Sequence, residues 1–476
     1  MTTILSTSIS FEAFFRSTVA QELTFYLAAV VLVVLTAESC IRLLNRDSFG
    51  ITVGVYITVF AWYFADPFIN PEQYDDLPSS SLGQSYGQVL LFLIGFRVFA
   101  PAAIRWIVRR RSSGVFDTRL TPEQILRGVA AIWFVLFVLG IARLGGDVMG
   151  AVFPLDSRGG ALMWGRGAVE SSASGFLISF AGYLFMAVTA SLGVLVFFQR
   201  SIVWRLLAGA MFAITLPSFF LSGTRSGFLA VSVPFLITYL FYGRRLLILK
   251  LAILAITFFC LKEGFRFVQV FRNVGFREVL ASENAYELMD EKDEDVRTVG
   301  LNMIGELCFV NAYLDSGETT AAYGARYLNE LLNFIPRAIW PSKPLLGIDY
   351  AIWRGYQSDD SELGVNTTIS SGMIGGGVLN FGQIFGPVAA GMLMALWAGL
   401  LIRWWEQRKS LLRLALFMLG AGLTFNLGRD ITLLVLWPVV FAYFFVRLAE
   451  IWATRRFYAL PQTATVAPAD ARPALV

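Results

Sequence analysis

Long apolar blocks separated by short polar stretches run through this chain, and about eleven of them are long enough to cross roughly 30 Å of hydrocarbon as helices. The blocks lie near 22–44, 49–69, 88–108, 128–149, 174–199, 204–221, 226–243, 246–263, 373–402, 411–427 and 431–449. An all-α polytopic integral membrane protein with about eleven transmembrane helices is therefore predicted. One polar interruption, 264–371, is far longer than the roughly 12 to 15 residues that connections rarely exceed without a functional reason. Inside it, Leu301 to Leu314 and Tyr323 to Phe334 carry apolar residues at three- and four-residue spacing, which predicts short amphipathic helices lying over the bundle as a lid. The chain divides into an N-terminal segment 1–21, eight spans over 22–263, the loop 264–371, three spans over 372–450 and a tail 451–476. Phe457 to Val476, rich in Pro and Ala, is expected to be disordered.

Charge placement tests the span count independently. Arg42 and Arg46, Arg105 with Arg109 to Arg111, Arg200 and Arg205, Arg244 and Arg245, and Arg403, Arg408, Lys409 and Arg413 fall on alternate connections. Cytoplasmic connections carry the excess of Lys and Arg, so this side and the tail are predicted to be cytoplasmic, and the long loop and the N-terminus extracytoplasmic. The opening Met1 to Ser6 has no basic start and no small-residue cleavage site, so no removable signal peptide is expected. Thr121-Pro122-Glu123 reads as an N-cap, a first-turn proline and an acidic first turn at the start of the fourth helix. No internal repeat is visible, which weighs against transporters built from inverted repeats.

Composition narrows the chemistry. At 56% hydrophobic, the 476 residues exceed the roughly 45 to 50% of soluble domains. Histidine is absent, which excludes imidazole bases, Ser-His and Cys-His pairs and His-based metal sites. Cys40, Cys260 and Cys308 are widely separated and read as small apolar fillers. No cofactor and no metal are expected, and no basic aromatic patch suits nucleic acid.

At the junction of the eighth span and the loop, Lys262 to Arg277 alternates basic and aromatic residues, with Arg266 and Arg272 forming a cationic arm at the membrane surface. Such an arm reads either as contact with lipid-linked phosphates or as interfacial snorkelling. Asp293-Glu294-Asp295 has the acid-x-acid form of nucleotide-sugar transferases, but nucleotide sugars are cytoplasmic, and a solvated acidic face is the better reading. Pro336, Pro341 and Pro344 stiffen the segment that carries Arg337, Trp340 and Lys343. Arg97 lies near the middle of the third span, where a cation costs roughly 2.5 to 3.5 kcal/mol, and is assigned to the outer side. Arg225 and Arg429 occupy tight turns between spans. Arg225 reads as a ligand-binding cation or a capped turn, and Arg429 as the same or a local pair with Asp430. Arg225, Arg337 and Arg429 share one face of the bundle, and guanidinium groups bind phosphate oxygens bidentately, as a diphosphate requires.

Ser222 to Gly227, Ile335-Pro336-Arg337-Ala338-Ile339-Trp340-Pro341-Ser342-Lys343-Pro344, Thr367 to Gly375 and Asn380-Phe381-Gly382 resemble the O-antigen polymerase (Wzy-type, oligosaccharide repeat unit polymerase) family. The resemblance covers the span architecture and about 200 residues of the C-terminal half. It departs at Gly375-Gly376-Gly377, where the family pattern would have an acidic residue after the first glycine. The resemblance implies a metal-independent, inverting transferase of the C-type (GT-C) membrane fold at the outer face of the bacterial inner membrane. It would move a growing glycan from undecaprenyl diphosphate onto the non-reducing end of a lipid-linked repeat unit, in O-antigen, capsule or exopolysaccharide synthesis. A polysaccharide chain-length regulator is the implied protein partner.

Fixed arginines can stabilise a departing diphosphate without metal. With no histidine, the base for the acceptor hydroxyl should be a carboxylate, unless diphosphate departs readily enough to need none. Asp349 is the first candidate, followed by Asp359, Asp360, Glu362, Glu306 and Asp430. Three alternatives stay open: an O-antigen ligase-like transferase, against which the lack of histidine argues; a polyprenyl-phosphate-sugar transferase using Asp75-Asp76; and a lipid-linked oligosaccharide flippase.

Overall fold

The computed structural model describes residues 11–77, 79–109, 120–155, 163–164, 173–222, 225–243, 302–332, 348–355, 369–430 and 433–458, with isolated positions between 246 and 277 and at 335 and 340. Among these, nine helices are long and apolar enough to cross a membrane, and the chain is a multi-pass helical membrane protein. In chain order the helices are α1 Leu23–Leu44, α2 Ser48–Ile69, α3 Ser79–Arg109, α4 Pro122–Arg143, α5 Ala173–Leu195, α6 Ile202–Leu221 and α7 Arg225–Tyr242. The loop helices α8 Met303–Asp315, α9 Ala325–Leu331 and α10 Ile348–Trp353 follow, then α11 Met373–Glu406, α12 Leu411–Arg429 and α13 Leu433–Tyr458. The predicted seventh span is the shorter apolar helix α7, and the predicted eighth, 246–263, lies mostly outside the described residues.

The cap predicted for α4 forms as a reciprocal box. The Thr121 hydroxyl accepts from the Gln124 N–H at 3.3 Å, and the Gln124 side chain accepts from the Thr121 N–H at 3.0 Å. Val33, Val34, Phe134, Leu139, Val203, Leu206 and Phe444 point outward from the bundle, as a lipid environment permits. Burial identifies the central helix, because 78% of the apolar stretch of α12 is enclosed against 22% of that of α1. Lipid gives helices no hydrophobic drive to associate, so close approach through small residues holds them together. Along α12, Gly420 meets Leu401 and Trp404 of α11, Gly422 meets Pro234 of α7, and Gly428 meets Thr58 and Trp62 of α2.

The two ends of the bundle differ in chemistry. At the end where the predicted arginine-rich connections gather, Arg413 donates through two nitrogens to Glu450 at 2.5 Å, and Arg447 adds a contact at 3.0 Å to the same carboxylate, which is 1% exposed. Arg97 belongs to this end, which corrects its assignment to the outer side. It pairs with Glu38 at 3.1 Å and lies over Phe49, while Glu38 also takes Arg42, itself held by Asp47. The cost of an intramembrane cation is met by a carboxylate one helix away.

At the opposite end, hereafter the loop end, α8 is docked into the bundle and is no loose lid. Gln88 of α3 and Asn311 of α8 exchange amide hydrogen bonds of 2.8 and 3.0 Å, both buried, and Asn311 also donates to Ser85 at 3.2 Å. The Tyr74 hydroxyl sits between the Asp66 carboxylate at 2.7 Å and the Asn302 amide oxygen at 2.8 Å. A buried polar group left unpaired costs more than the bond itself contributes, so these bonds fix where α8 sits.

The predicted span 373–402 is a helical hairpin. Gly382 takes φ 77° and ψ 175°, which only glycine adopts readily, and breaks α11 into limbs 373–381 and 383–406. The limbs touch backbone to backbone at Gly377 and Gly386. Gly95 against Val388, Gly391 against Phe92 and Phe96, and Gly399 against Ile107 then run the long limb parallel to α3.

Candidate functional site

The hairpin aims the start of its short limb into the loop end of the bundle. There the Tyr63 hydroxyl accepts the Ile374 N–H at 3.0 Å, one of the donors a helix start leaves without an internal partner. Tyr63 lies on a π turn, Phe60–Phe64, inside α2, and its neighbour Trp62 donates from Nε1 to the Phe425 carbonyl of α12 at 2.7 Å. Such turns re-aim side chains and recur at functional sites. Gly428 faces Thr58 and Trp62, whereas α2 continues to Ile69, so α12 ends roughly 10 Å short of the end of α2. The end of α12 is recessed below the end of the bundle.

Asp430 follows α12 directly in extended backbone. Its Oδ2 is 3.2 Å from the Ser370 hydroxyl, which donates to the Arg429 carbonyl at 2.8 Å. Its Oδ1 faces Gly376 in the first turn of the short limb. A Cβ placed on Gly376 would find the Tyr327 hydroxyl at 3.8 Å, Ser371 Oγ at 3.9 Å and Asp430 Oδ1 at 4.0 Å, and nothing nearer. Three polar oxygens from three segments thus surround the space left by one absent side chain.

Asn380, 1% exposed, holds the third wall in place. Its amide donates to the Gly376 carbonyl at 2.8 Å and its oxygen accepts the Tyr327 N–H at 3.3 Å. Tyr327 of α9 is thereby fixed over Gly376, with its ring against Phe381. Its hydroxyl is buried with no hydrogen-bond partner among the described residues. Burial, reinforced by the Asp430 charge, pushes this phenol well up from its ordinary value, so it remains a donor throughout the physiological range.

Comparison of the chain with family models, with curated proteins and with solved structures finds no match.

The predicted site residues separate into groups. Asp430 and Arg429 stand in this recess, and Arg225 starts α7 at the same end of the bundle. Helix α7 runs antiparallel to α12, and from the Pro234–Gly422 contact Arg225 and Arg429 lie roughly 14 and 10 Å along the same direction. Asp349 and Glu306 are engaged elsewhere. Asp349 pairs with Arg326 and so joins α10 to α9. Both Glu306 oxygens are taken, one by the Tyr350 hydroxyl at 2.7 Å and one by Arg354 at 3.2 Å, which joins α8 to α10. These two carboxylates hold the loop helices together, which removes Asp349 as first choice of base. Arg97 belongs to the other end. Trp340 is half-buried. Arg337, Lys343, Arg266, Arg272 and Glu362, with Asp359, Asp360 and the acidic run Asp293 to Asp295, lie outside the described residues.

Sequence reasoning missed Tyr63, Tyr327, Ser370 and Ser371. The two serines carried a signal, since Ser370-Ser371-Gly372 before an apolar block is a helix-start pattern. The tyrosines carried none, Tyr63 being one aromatic among several in an apolar span and Tyr327 one apolar position of a short amphipathic helix.

Proposed function

We propose that this chain is a membrane glycosyltransferase that polymerises lipid-linked repeat units of a bacterial surface polysaccharide. The observation that carries the reading is the loop-end recess, where Asp430, next in the chain to Arg429, faces Gly376 and Tyr327 at the end of the bundle that also holds Arg225. Ile384 and Phe385, 67% and 75% exposed, flank the same end and offer a lipid chain an apolar surface beside a charged recess. A substrate that is half polyprenyl chain and half diphosphate-sugar needs that combination.

In this reading the arginine-rich end is cytoplasmic, by the positive-inside rule, and the loop end faces the periplasm. The fold is then of the C-type transferase kind, in the inner membrane. Undecaprenyl-diphosphate-linked oligosaccharide serves as donor and acceptor, and Arg225, Arg429 and Arg337 bind the diphosphate as it departs. No metal is needed, because guanidinium groups fixed in a low-dielectric site stabilise the leaving charge. Inversion at the anomeric carbon follows from a single displacement. A chain-length regulator is the partner such a polymerase would take.

The test is Arg225→Ala and Arg337→Ala in the native host, scored by the glycan ladder. Loss of long chains with single repeat units still attached is the expected result. Disappearance of all surface glycan would point to a ligase or a flippase, and an unchanged ladder would overturn the arginine site.

A further inference from the structure

Counting hydrogens at the start of α8 leaves one oxygen contact without a proton. The Asn302 side chain caps α8, its Oδ1 accepting the Gly305 N–H at 2.7 Å, so that atom is the amide oxygen and has no hydrogen to give. The Tyr74 hydroxyl oxygen stands 2.8 Å from this acceptor and 2.7 Å from Oδ2 of Asp66, in the last turn of α2. Both separations are those of full O–H···O bonds, and a single O–H cannot point along both lines at once. Tyr74 brings one proton, because burial holds its phenol well above the ordinary value. With Asp66 ionised, one of the two contacts would be a pair of bare oxygens inside the protein. A proton on Asp66 Oδ2 satisfies the whole chain, since Asp66 then donates to Tyr74 and Tyr74 donates to Asn302. The other carboxyl oxygen, Oδ1, accepts from the Asn70 amide at 3.0 Å.

The surroundings agree with a neutral acid. Asp66 is 1% exposed, and among the described residues no cation pairs with it. The titratable groups that face it are the phenols of Tyr74 and, from α3, Tyr86, with the Cys308 thiol of α8 behind them. Arg16, on the helix Phe11–Arg16 that packs against residues 65–69, is exposed, as is Glu72. An ionised carboxylate in such a place would lack the partner that a buried charge requires.

We propose that Asp66 is a proton-binding site, and that its bound proton locks the start of α8 onto α2. Loss of the proton turns the Tyr74 hydroxyl toward the new carboxylate, leaves its lone pairs against Asn302 Oδ1, and pushes the first turn of α8 away. That helix supports the recess. Met303 Sδ stands 3.4 Å from where a Cβ on Gly372 would be, and Leu307 and Val310 lie against Gly375. The proton on Asp66 thus keeps the start of α11, including the Ile374 N–H bonded to Tyr63, in register. The site goes beyond the transferase reading and does not depend on it.

The full-length protein is purified into nanodiscs, and its infrared spectrum at neutral pH is compared with that of Asp66→Asn. An asparagine there donates to Tyr74 and accepts from Asn70 as the protonated acid does, so the variant keeps the contacts without the titration. A protonated-carboxyl C=O band present in wild type and lost in the variant is expected; no such difference would overturn the proposal. The lock on α8 is read by hydrogen exchange of peptides covering that helix, as the ratio of wild-type to Asp66→Asn rates, which cancels the intrinsic pH dependence of exchange. Opening of α8 exposes Asp66 to water, where a carboxyl ionises above about pH 4, so each opening releases one proton. Protection in wild type is therefore lost as pH rises, with the ratio growing about tenfold per pH unit from about pH 5 until the folded carboxyl itself ionises. A ratio constant within about twofold over that range would overturn the lock. Should Asp66→Asn fail to fold, Tyr74→Phe decides: a shifted carboxyl band supports the bond from Asp66 to Tyr74, and an unchanged band overturns it.

Discussion

Replacing Gly377 by alanine should open the α11 hairpin. The new Cβ would stand 2.9 Å from the Gly386 carbonyl carbon and 3.1 Å from the Ala390 Cβ, and nearer still to the Gly386 carbonyl oxygen. All three neighbours are backbone or fixed to it, so none can rotate away, and the limbs must part. Overpacking of this kind costs about 1 to 3 kcal/mol. Removing a glycine from a helix offsets roughly 0.5 to 1 kcal/mol of that. A net loss of about 1 to 2 kcal/mol remains, a factor of roughly 5 to 30 in the folded-to-unfolded ratio. The assay is the fraction of full-length protein that stays monodisperse in detergent after heating for a fixed time. Gly376→Ala is the paired control, since its Cβ meets nothing closer than 3.8 Å. The expected order has Gly376→Ala at least as stable as wild type and Gly377→Ala clearly below both. Equal stability of the two variants would show that the limbs are not in contact and that α11 crosses as one continuous helix.

Glu450→Ala should destabilise by about 3 to 5 kcal/mol, because it leaves Arg413 buried without its carboxylate; Arg447→Ala, removing a more exposed partner, should cost under half as much by the same heating assay. Gln88→Leu and Asn311→Leu should each cost about 1 to 3 kcal/mol through the amide left behind, with the double variant costing less than the sum, and limited proteolysis near α8 should follow the same order. Asp349→Asn should leave the glycan ladder unchanged and shift stability by about 1 kcal/mol or less, since its pair with Arg326 is partly exposed; loss of long chains would restore Asp349 as a base. Burial and the Glu306 carboxylate push the Tyr350 phenol well up. Its contribution to stability is therefore complete below the unfolded value near pH 10 and is lost as pH rises beyond it. Alkaline unfolding above about pH 10 should accordingly become shallower in Tyr350→Phe, and an unchanged slope would count against the assignment.

The bundle could be read from the sequence because lipid imposes a length and a hydropathy on every span, and those constraints are local. The α4 cap was legible for the same reason, since Thr121, Pro122 and Glu123 are consecutive, although the part played by Gln124 was not read. The hairpin was not, because 373–402 is apolar apart from Asn380 and Gln383 and long enough to read as one span, so the conformation of Gly382 is what reveals the break. Arg97 was placed on the wrong side because its neutralising partner, Glu38, is 59 residues away in another helix. Asp430 was legible as a carboxylate beside an arginine in a short turn. That it faces Gly376 depends on α11 and α12 packing together, which no local pattern encodes. Asp349 and Glu306 looked equally suitable until Arg326, Tyr350 and Arg354 were seen to occupy them.

The π turn at Phe60–Phe64 adds one residue to a helix that otherwise advances about 100° per residue. Below it, the phase of α2 is set by packing, with Tyr56 against Phe96 and Thr58 against Gly428. Within it, the phase is shifted so that Trp62 and Tyr63 reach α12 and the start of α11. The turn works as a register change within one span, between the residues that pack on α3 and those that reach the start of α11. Without the extra residue, a helix packed through Tyr56 and Thr58 would carry Tyr63 about 100° away from the start of α11, so the turn lets a single span meet both demands.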